Sequence, residues 1–314
     1  MFCELDPPIG QSVYGVRPYT WKIGATVICE KVSKVPENAL THWRDDDMNI
    51  FCLRPAEPTQ AETEEITPIY SSGTSGAVWS IGGIFCKVKS WQRGIEQEKE
   101  AIDFVKKRFK DVPLPKVLYA WTEPEYSRSY LILQQMPGIP LERAWSSLST
   151  VQRRKIATQI AGYCDTLATA RSDALQTATG CGITDGLLMT PSRKDEPSWK
   201  RRTLTPLDLA SAEDYLSPLY LGNAFYYYHA DLCPSNILVL DGKVSGILDW
   251  EHAAFYPRFW IATKPHFSYG FALEGEDTWA WTKLLSQALT ERGFIENISG
   301  FQHWREKSRN AKLA

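Results

Sequence analysis

The sequence lacks the features that mark several classes of protein. It has no run of about 18 apolar residues, so no transmembrane helix is expected. Its first residues, MFCELDPPIG, are not a basic region followed by an apolar one, so we expect no signal peptide. The formal net charge is only -2, which argues against a nucleic acid or a membrane surface as a partner bound mainly through charge.

The cysteines show no pattern of a metal site or a disulfide framework. The chain has 7 cysteines, an odd number, without a CxxC pair and without a Cys/His cluster at zinc spacing. Scattered cysteines of this kind are typical of free thiols in a reducing compartment. The composition, 43% hydrophobic and 23% charged, is ordinary for a soluble globular protein. We therefore expect a cytoplasmic protein.

The pattern of apolar residues divides the chain into three parts. Residues 1–65 look irregular and are predicted to form an N-terminal extension and linker. Residues 66–136 alternate like strands, with a Gly82-Gly83 turn and one helix over 94–109. Residues 137–314 are mainly helical in pattern. Strands followed by helices predict an α+β fold with two lobes, an N-terminal β-sheet lobe with one main helix and a mainly helical C-terminal lobe.

The most informative stretch is HADLCPSNILVLDGKVSGILDWE at 229–251. Its Asp-Gly pair at 241–242 lies between two apolar runs and predicts a β-hairpin with a two-residue turn. Pairing Leu240 with Lys243 and counting back places Asp249 opposite Pro234.

This hairpin is predicted to collect oxygen ligands at one edge. Asp249 would come within two residues of Asn236 across the two strands, and an amide oxygen with a carboxylate suits a magnesium ion. Asp231 precedes the hairpin in a loop anchored by His229, close enough to face the same site. Each residue alone is common at a turn or a cap, but the combined spacing is specific.

These motifs resemble those of aminoglycoside phosphotransferases and related small-molecule kinases, which share the protein-kinase-like fold. HADLCPSNILV followed by GILDWE is similar to the catalytic motif and the metal-binding aspartate of that family. The continuation EHAAFYPRFW is similar to the fungal branch of the superfamily. The resemblance implies that Asp231 is the catalytic base, that Asn236 and Asp249 bind Mg²⁺, and that His229 is a scaffold residue.

Two residues of the motif depart from the family pattern. Ala230 stands where the family often has glycine, which is a small change, and Cys233 stands where the family often has histidine. The thiol is either structural or a sign of a different substrate or of thiol sensitivity.

A kinase also needs a lysine on a strand and a glutamate on the next helix to position the phosphates of ATP. Lys87 lies inside the apolar run IFCKV, whereas Lys89 lies at its end. Glu98 falls within an apolar stripe of the helix, and a buried carboxylate needs a partner. Lys87 is the predicted partner, and the family resemblance implies the same pair.

Two further segments are candidates for binding the nucleotide. SSGTSG at 71–76, with Ser72 and Gly73, occupies the position of a phosphate-covering loop, although a plain Gly/Ser hairpin loop explains it equally well. YLILQQMPG at 130–138 resembles the strand that enters the interlobe hinge of the family. The resemblance implies that backbone groups around Gln134, Gln135 and Met136 hydrogen-bond adenine. The residues predicted to bind the nucleotide are therefore Lys87, Glu98, Ser72, Gly73, Gln134, Gln135 and Met136.

The function expected from these residues is an ATP- and Mg²⁺-dependent transfer of phosphate to a hydroxyl group of a small molecule. The basic segment RKDEPSWKRR at 193–202 favours a metabolic or biosynthetic kinase over an enzyme for polycationic aminoglycosides. Two alternatives remain open. In the first, phosphorylation only activates a substrate for elimination or condensation. In the second, the chain is a nucleotide-binding pseudokinase.

Overall fold

The computed structural model describes residues 8–57, 64–190, 202–275 and 277–310. By their internal contacts, these residues form two compact units. The first unit contains 8–57, 64–93 and 115–135, and the second contains the other described residues. Residues 94–114 thus group with the second unit, whereas the sequence prediction had assigned them to a lobe over 66–136. The functional division into lobes stays a prediction.

The first unit consists of two antiparallel sheets. The first sheet has the order β4-β5-β3-β2-β1-β6 and the second has the order β10-β11-β9-β8-β7. The strands of the first sheet are β1 (Val13–Arg17), β2 (Thr20–Ile23), β3 (Val27–Val32), β4 (Thr41–Arg44), β5 (Ile50–Pro55) and β6 (Glu64–Glu65). The strands of the second are β7 (Tyr70–Ser72), β8 (Gly76–Ile81), β9 (Ile84–Ser90), β10 (Val117–Glu123) and β11 (Arg128–Gln134).

One hydrophobic core joins these two sheets. Phe51 of the first sheet and Trp79 of the second are both buried in it. A carboxylate also links the sheets, because Glu123 at the end of β10 accepts hydrogen bonds from the backbone N–H groups of Ala25 and Thr26, at 3.0 and 3.1 Å. Paired in this way, the buried carboxylate holds the turn between β2 and β3.

The prediction of an irregular linker over 1–65 was wrong for the described part of that segment. Five strands lie between Val13 and Pro55, and they form most of a sheet. These strands are short, and their turns include Tyr19 and Met48, two non-glycine residues with positive φ. Neither turn has the Asn-Gly, Asp-Gly or Gly-Gly pair that marks a two-residue hairpin in a sequence. The packing that supports them comes from the second sheet, which is distant in sequence.

The second unit contains the helices and three small sheets. The helices are α1 (Glu98–Arg108), α2 (Leu141–Ala144), α3 (Thr150–Leu167), α4 (Leu209–Leu216), α5 (Arg258–Thr263), α6 (Ala280–Thr290) and α7 (Ile298–Asn310). The strands are β12 (Ile139–Pro140), β13 (Arg171–Ser172), β14 (Ala174–Leu175), β15 (Leu207–Asp208), β16 (Phe225–Tyr228), β17 (Ile237–Leu240), β18 (Lys243–Ile247) and β19 (Ala254–Pro257). They pair as β12-β17-β18, β13-β16-β19 and β14-β15.

The predicted α+β class is confirmed, with antiparallel sheets in the first unit and the helices in the second. Within the described ranges, no helix is both long enough and apolar enough to cross a membrane. Six cysteines are free thiols, as predicted, and Cys3 lies outside the described residues. Most of the basic segment 193–202, on which the choice of a metabolic kinase depended, also lies outside them.

Candidate active site

The hairpin β17–β18 forms where the sequence predicted it, but with a shifted register. Asp241 and Gly242 have φ of 51° and 70°, and Leu240 pairs with Lys243. Further along, Ile237 pairs with Ile247, which is one residue beyond the predicted register. A bulge on β18 causes the shift, and it brings Asp249 opposite Ser235 rather than Pro234, correcting the counted position by one residue.

The bulge is held by contacts with the segment that precedes β12. Ser245, on the bulged strand, donates its hydroxyl to the Pro137 carbonyl at 2.6 Å. Gly138 leaves room for this hydroxyl, since a Cβ there would lie 2.5 Å from the Ser245 Oγ. The side chain of Met136 packs on Gly246 in the same way, with 2.9 Å between its Cε and the position of a Cβ. Met136, a predicted nucleotide-binding residue, therefore has a packing contact with the hairpin β17–β18.

His229 is the scaffold of the loop before the hairpin. The imidazole is fully buried, and its Nε2 lies 2.9 Å from the Leu248 carbonyl. Its Nδ1 accepts the backbone N–H of Asp231 at 3.1 Å. These two bonds fit a neutral ring with the proton on Nε2. Burial lowers the pKa of His229 from 6.5 to about 4, so the ring is neutral at pH 7.

Asp231 and Asn236 are brought together by this loop. The Asn236 side-chain nitrogen donates to Asp231 Oδ2 at 2.9 Å and to the Asp231 carbonyl at 3.0 Å. The Cys233 thiol donates to the other carboxylate oxygen, Oδ1, at 2.9 Å. Ala230, with φ of 64°, provides the backbone turn that precedes the carboxylate. Asp231 is thus half-buried and held by donors on both oxygens.

The bonds of Asn236 fit the predicted magnesium ligand. Since its nitrogen is used by Asp231, the remaining polar atom of the side chain is the amide oxygen, which hard cations prefer. In the part of the chain that the structure describes, no group of three His, Cys, Asp or Glu side chains could hold a metal ion. A cation at Asn236 and Asp249 would therefore need oxygen ligands from a nucleotide and from water, as magnesium in phosphate-binding sites does.

Asp249 lies at the end of β18 in a strained backbone conformation. Its φ is 61°, and the short 3-10 helix Trp250–His252 follows it. The backbone N–H of Trp250 donates to Glu98 Oε1 at 3.2 Å, across 152 positions of sequence. The Trp250 indole N–H donates to the Ile247 carbonyl at 2.8 Å. Glu98, the first residue of α1, is thus bonded to the turn that presents Asp249, a contact that the sequence had not indicated.

Lys87 lies in the first unit on β9, the middle strand of the second sheet. It pairs with Val78 on one side and Leu131 on the other, and it is 8% exposed. The neighbouring candidate Lys89 lies over Gly76, where a Cβ would be 2.6 Å from its Cδ. Burial within an apolar strand agrees with the choice of Lys87 over Lys89, and its pairing with Glu98 stays a prediction.

The loop that contains Ser72 and Gly73 is closed by its own hydrogen bonds. Ser75 donates its hydroxyl to the Ser72 carbonyl at 2.7 Å, and its backbone N–H reaches the same oxygen at 3.0 Å. Gly73 has φ of 53° and open space around its Cα. A tight turn with exposed backbone can approach a phosphate group closely.

The segment at the end of β11 has one of its backbone donors in use. The N–H of Gln134 donates to the Lys116 carbonyl at 2.9 Å. The side chain of Gln135 donates to the Ser80 hydroxyl at 3.2 Å. Adenine recognition through the Gln134 N–H would need this bond to break, which favours Gln135 and Met136 as the backbone contacts.

A buried ion pair in the second unit escaped the sequence analysis. Asp185 Oδ2 accepts from the Lys264 ammonium at 2.9 Å and from the Trp260 indole at 2.9 Å. Burial alone would raise the pKa of Asp185, but the charge and hydrogen bond of Lys264 hold it below its usual value. The partners are 79 positions apart, so no local pattern could have paired them.

Comparisons with known proteins agree with the motifs. Residues 85–260, more than half of the chain, match the family model described as the phosphotransferase enzyme family. No curated protein matches the chain.

Solved structures similar to this chain include several aminoglycoside phosphotransferases. The type VIII aminoglycoside-3'-phosphotransferase is 18% identical, with 75% of this chain and 88% of that one covered and a TM-score of 0.45. APH(3'')-Id from Streptomyces rimosus is 18% identical, with 76% and 89% covered and a TM-score of 0.46. APH(4)-Ia is 19% identical, with 75% and 81% covered and a TM-score of 0.47.

Proposed function

The chain belongs to the phosphotransferase enzyme family, and from this premise we propose that it transfers the γ-phosphate of ATP to a hydroxyl group of a small molecule. The observation that carries this proposal is the geometry of the loop 229–236. There a carboxylate, Asp231, is held by donors on both of its oxygens, next to an amide oxygen that suits a cation. An acid–base group and a cation ligand side by side are the two elements that phosphoryl transfer requires.

Asp231 is the proposed general base. Its carboxylate orients the acceptor hydroxyl and takes its proton as the oxygen attacks phosphorus. Because Cys233 and Asn236 fix the two oxygens, the carboxylate needs little reorganisation when the acceptor binds.

Asn236 and Asp249 are the proposed Mg²⁺ ligands, through an amide oxygen and a carboxylate. When bound, magnesium neutralises the charge that develops on the phosphate oxygens. The chain's own contribution is to hold both ligands. Asn236 is oriented by Asp231, and Asp249 lies next to Trp250, whose N–H is bonded to Glu98. No further protein ligand is needed where phosphates and water complete the coordination.

The remaining candidates would bind the nucleotide. Lys87 is proposed to contact the phosphates, with Glu98 as its partner, as in other kinases. Ser72 and Gly73 would cover the phosphates with exposed backbone, and backbone groups of 134–136 would bind adenine. These assignments are supported by the burial of Lys87 and by the open space at Gly73.

The experiment is a screen of hydroxylated metabolites with γ-labelled ATP and magnesium, on the wild type and on Asp231→Asn. We expect labelled product from the wild type and a loss of at least about a hundredfold in Asp231→Asn. The affinity for Mg-ADP, measured by calorimetry, should be little changed.

A matched control is Asp241→Asn in the turn of the same hairpin, where asparagine tolerates the positive φ of Asp241. It should keep wild-type activity. Equal transfer by the wild type and by Asp231→Asn would exclude Asp231 as the base. A stable phosphate ester identifies a kinase product, whereas ADP, free phosphate and a dehydrated or coupled product identify activation for a second step.

A further inference from the structure

Cys233 makes a contact that a merely structural cysteine would not need. The residue is 4% exposed, and its thiol donates to Asp231 Oδ1 at 2.9 Å. The other carboxylate oxygen, Oδ2, is held by Asn236. The carboxylate of Asp231 is therefore fixed from two sides, and the thiol is one of the two.

The thiol keeps its proton in this environment. Burial raises the pKa of Cys233, and the negative charge of Asp231 raises it further. A protonated thiol is a hydrogen-bond donor, although a weak one. It can therefore orient the carboxylate without drawing off much of the negative charge on which a base depends.

The thiol is also confined from the side opposite to its own loop. Gly270 belongs to the short 3-10 helix Tyr269–Phe271, which packs on the 3-10 helix Pro234–Asn236. A Cβ at Gly270 would lie 2.6 Å from the Cys233 Sγ. Glycine at this position leaves room for the sulfur, and the close packing restricts where the sulfur can move.

We propose that Cys233 is a positioning residue for the phosphoryl transfer, because its thiol holds Asp231 Oδ1 in the orientation in which the carboxylate receives the acceptor proton. The inference rests on the proposed function of Asp231 as base. Cys233 itself takes no part in bond making or breaking.

The first test uses the slow hydrolysis of Mg-ATP, in which water is the acceptor, so that no acceptor needs to be identified. We expect Cys233→Ala to lower kcat roughly tenfold with an unchanged KM for ATP. Cys233→Ser, whose hydroxyl can donate to the same oxygen, should recover most of the loss. The matched control is Cys164→Ala on α3, another buried cysteine, which should keep the wild-type kcat.

A second measurement needs no nucleotide. The infrared S–H stretching band of Cys233, obtained by subtracting the spectrum of Cys233→Ala, should lie at the low frequency of a hydrogen-bonded thiol. It should move to higher frequency in Asp231→Ala, where the acceptor is missing. A merely structural cysteine would show no such response.

The outcomes separate this inference from the proposed function. Hydrolysis that falls in Asp231→Asn but not in Cys233→Ala would overturn the role of Cys233 and keep the base. Equal losses in the alanine and serine variants would also overturn it, since the donor would then be irrelevant. Hydrolysis that is unaffected by Asp231→Asn would contradict the proposed role of Asp231 as base, and an unshifted infrared band would exclude the thiol bond.

Discussion

The two hairpins that carry the candidate site residues are built on the same turn but differ in register. β8–β9 turns at Gly82-Gly83 and β17–β18 at Asp241-Gly242, and all four residues have positive φ. From this turn β8 and β9 pair without interruption, from Ile81 with Ile84 to Gly76 with Lys89. β17 and β18 pair regularly for two residues only, and then the bulge shifts them.

The difference follows from the neighbours of each strand. β9 lies between β8 and β11 and is hydrogen-bonded on both sides, so an extra residue would disrupt two ladders. β18 is the edge strand of its sheet, where a bulge disrupts only one ladder. Lys87 could therefore be placed by counting from its turn, whereas Asp249 could not.

The largest effect on phosphate transfer should come from substituting Asp249, just beyond the end of the bulged hairpin. Asp249→Asn removes the charge of a proposed cation ligand and should lower phosphate transfer by about a thousandfold. Lys87→Met on the regular hairpin removes a proposed nucleotide contact and should lower transfer by roughly a hundredfold. Transfer rates at saturating Mg-ATP measure both. Lys89→Met, two residues along the same strand, is the control, and a loss as large as that of Lys87→Met would reassign the lysine.

The second effect concerns the pH dependence of stability. The buried imidazole of His229 contacts the Leu248 carbonyl, just beyond the end of β18. Burial lowers the pKa of His229 to about 4, so between pH 6.5 and 4 the unfolded chain binds a proton that the folded chain does not. Over this range His229 should reduce the free energy of unfolding by up to about 3 kcal/mol. Urea unfolding at several pH values should show that the free energy of unfolding depends less on pH in His229→Asn than in the wild type.

His42 on β4 of the first unit is the matched histidine for this comparison, since it is exposed. His42→Asn should leave the pH dependence of the wild type in place. An equal change of slope in the two variants would mean that His229 is not the group responsible for the acid sensitivity.

The third effect tests the turns themselves. Gly82→Ala places a Cβ 2.9 Å from the ring of Phe51, a core residue, whereas Gly242→Ala meets the end of the flexible Gln152 side chain at 2.6 Å. Both substitutions should cost about 1–2 kcal/mol for the left-handed backbone. Gly82→Ala should cost roughly 1–3 kcal/mol more because the ring must move. Equal free energies of unfolding for the two variants would show that the Phe51 ring moves aside without a cost in stability.

Features with a local signal were predictable from the sequence. Both hairpin turns formed as predicted. The long helix α3 also carries a local signal, because its N-cap Ser149 forms a capping box with Gln152. The predicted helix over 94–109 begins later, at Glu98. Its carboxylate then bonds to Trp250, a contact between distant segments that no periodicity reveals.

The site follows the same rule. Asp231 was predicted to face the same site as Asn236, and the two residues do meet, because only five positions of one loop separate them. The shift of Asp249 comes from an extra residue on β18, at a bulge where Ser245 contacts Pro137, 108 positions away. The ion pair between Asp185 and Lys264 joins side chains 79 positions apart, which no local pattern shows. Long-range contacts, rather than residue types, account for what the sequence left unpredicted.

The smallest effect tests whether the register of β18 is set by the extra residue of the bulge or by the hydrogen bond that Ser245 makes there. Ser245→Ala removes the bond to Pro137 and should lower the free energy of unfolding by roughly 0.5–1 kcal/mol. Ser80→Ala on the regular hairpin loses only an exposed bond to Gln135 and should cost less than about 0.5 kcal/mol. Because Ser245→Ala keeps the residue count of β18, Asp249 should stay in place and transfer should remain within about threefold of wild type. A loss comparable with that of Asp249→Asn would instead mean that the hydroxyl, and not the extra residue, determines the register that positions this proposed metal ligand.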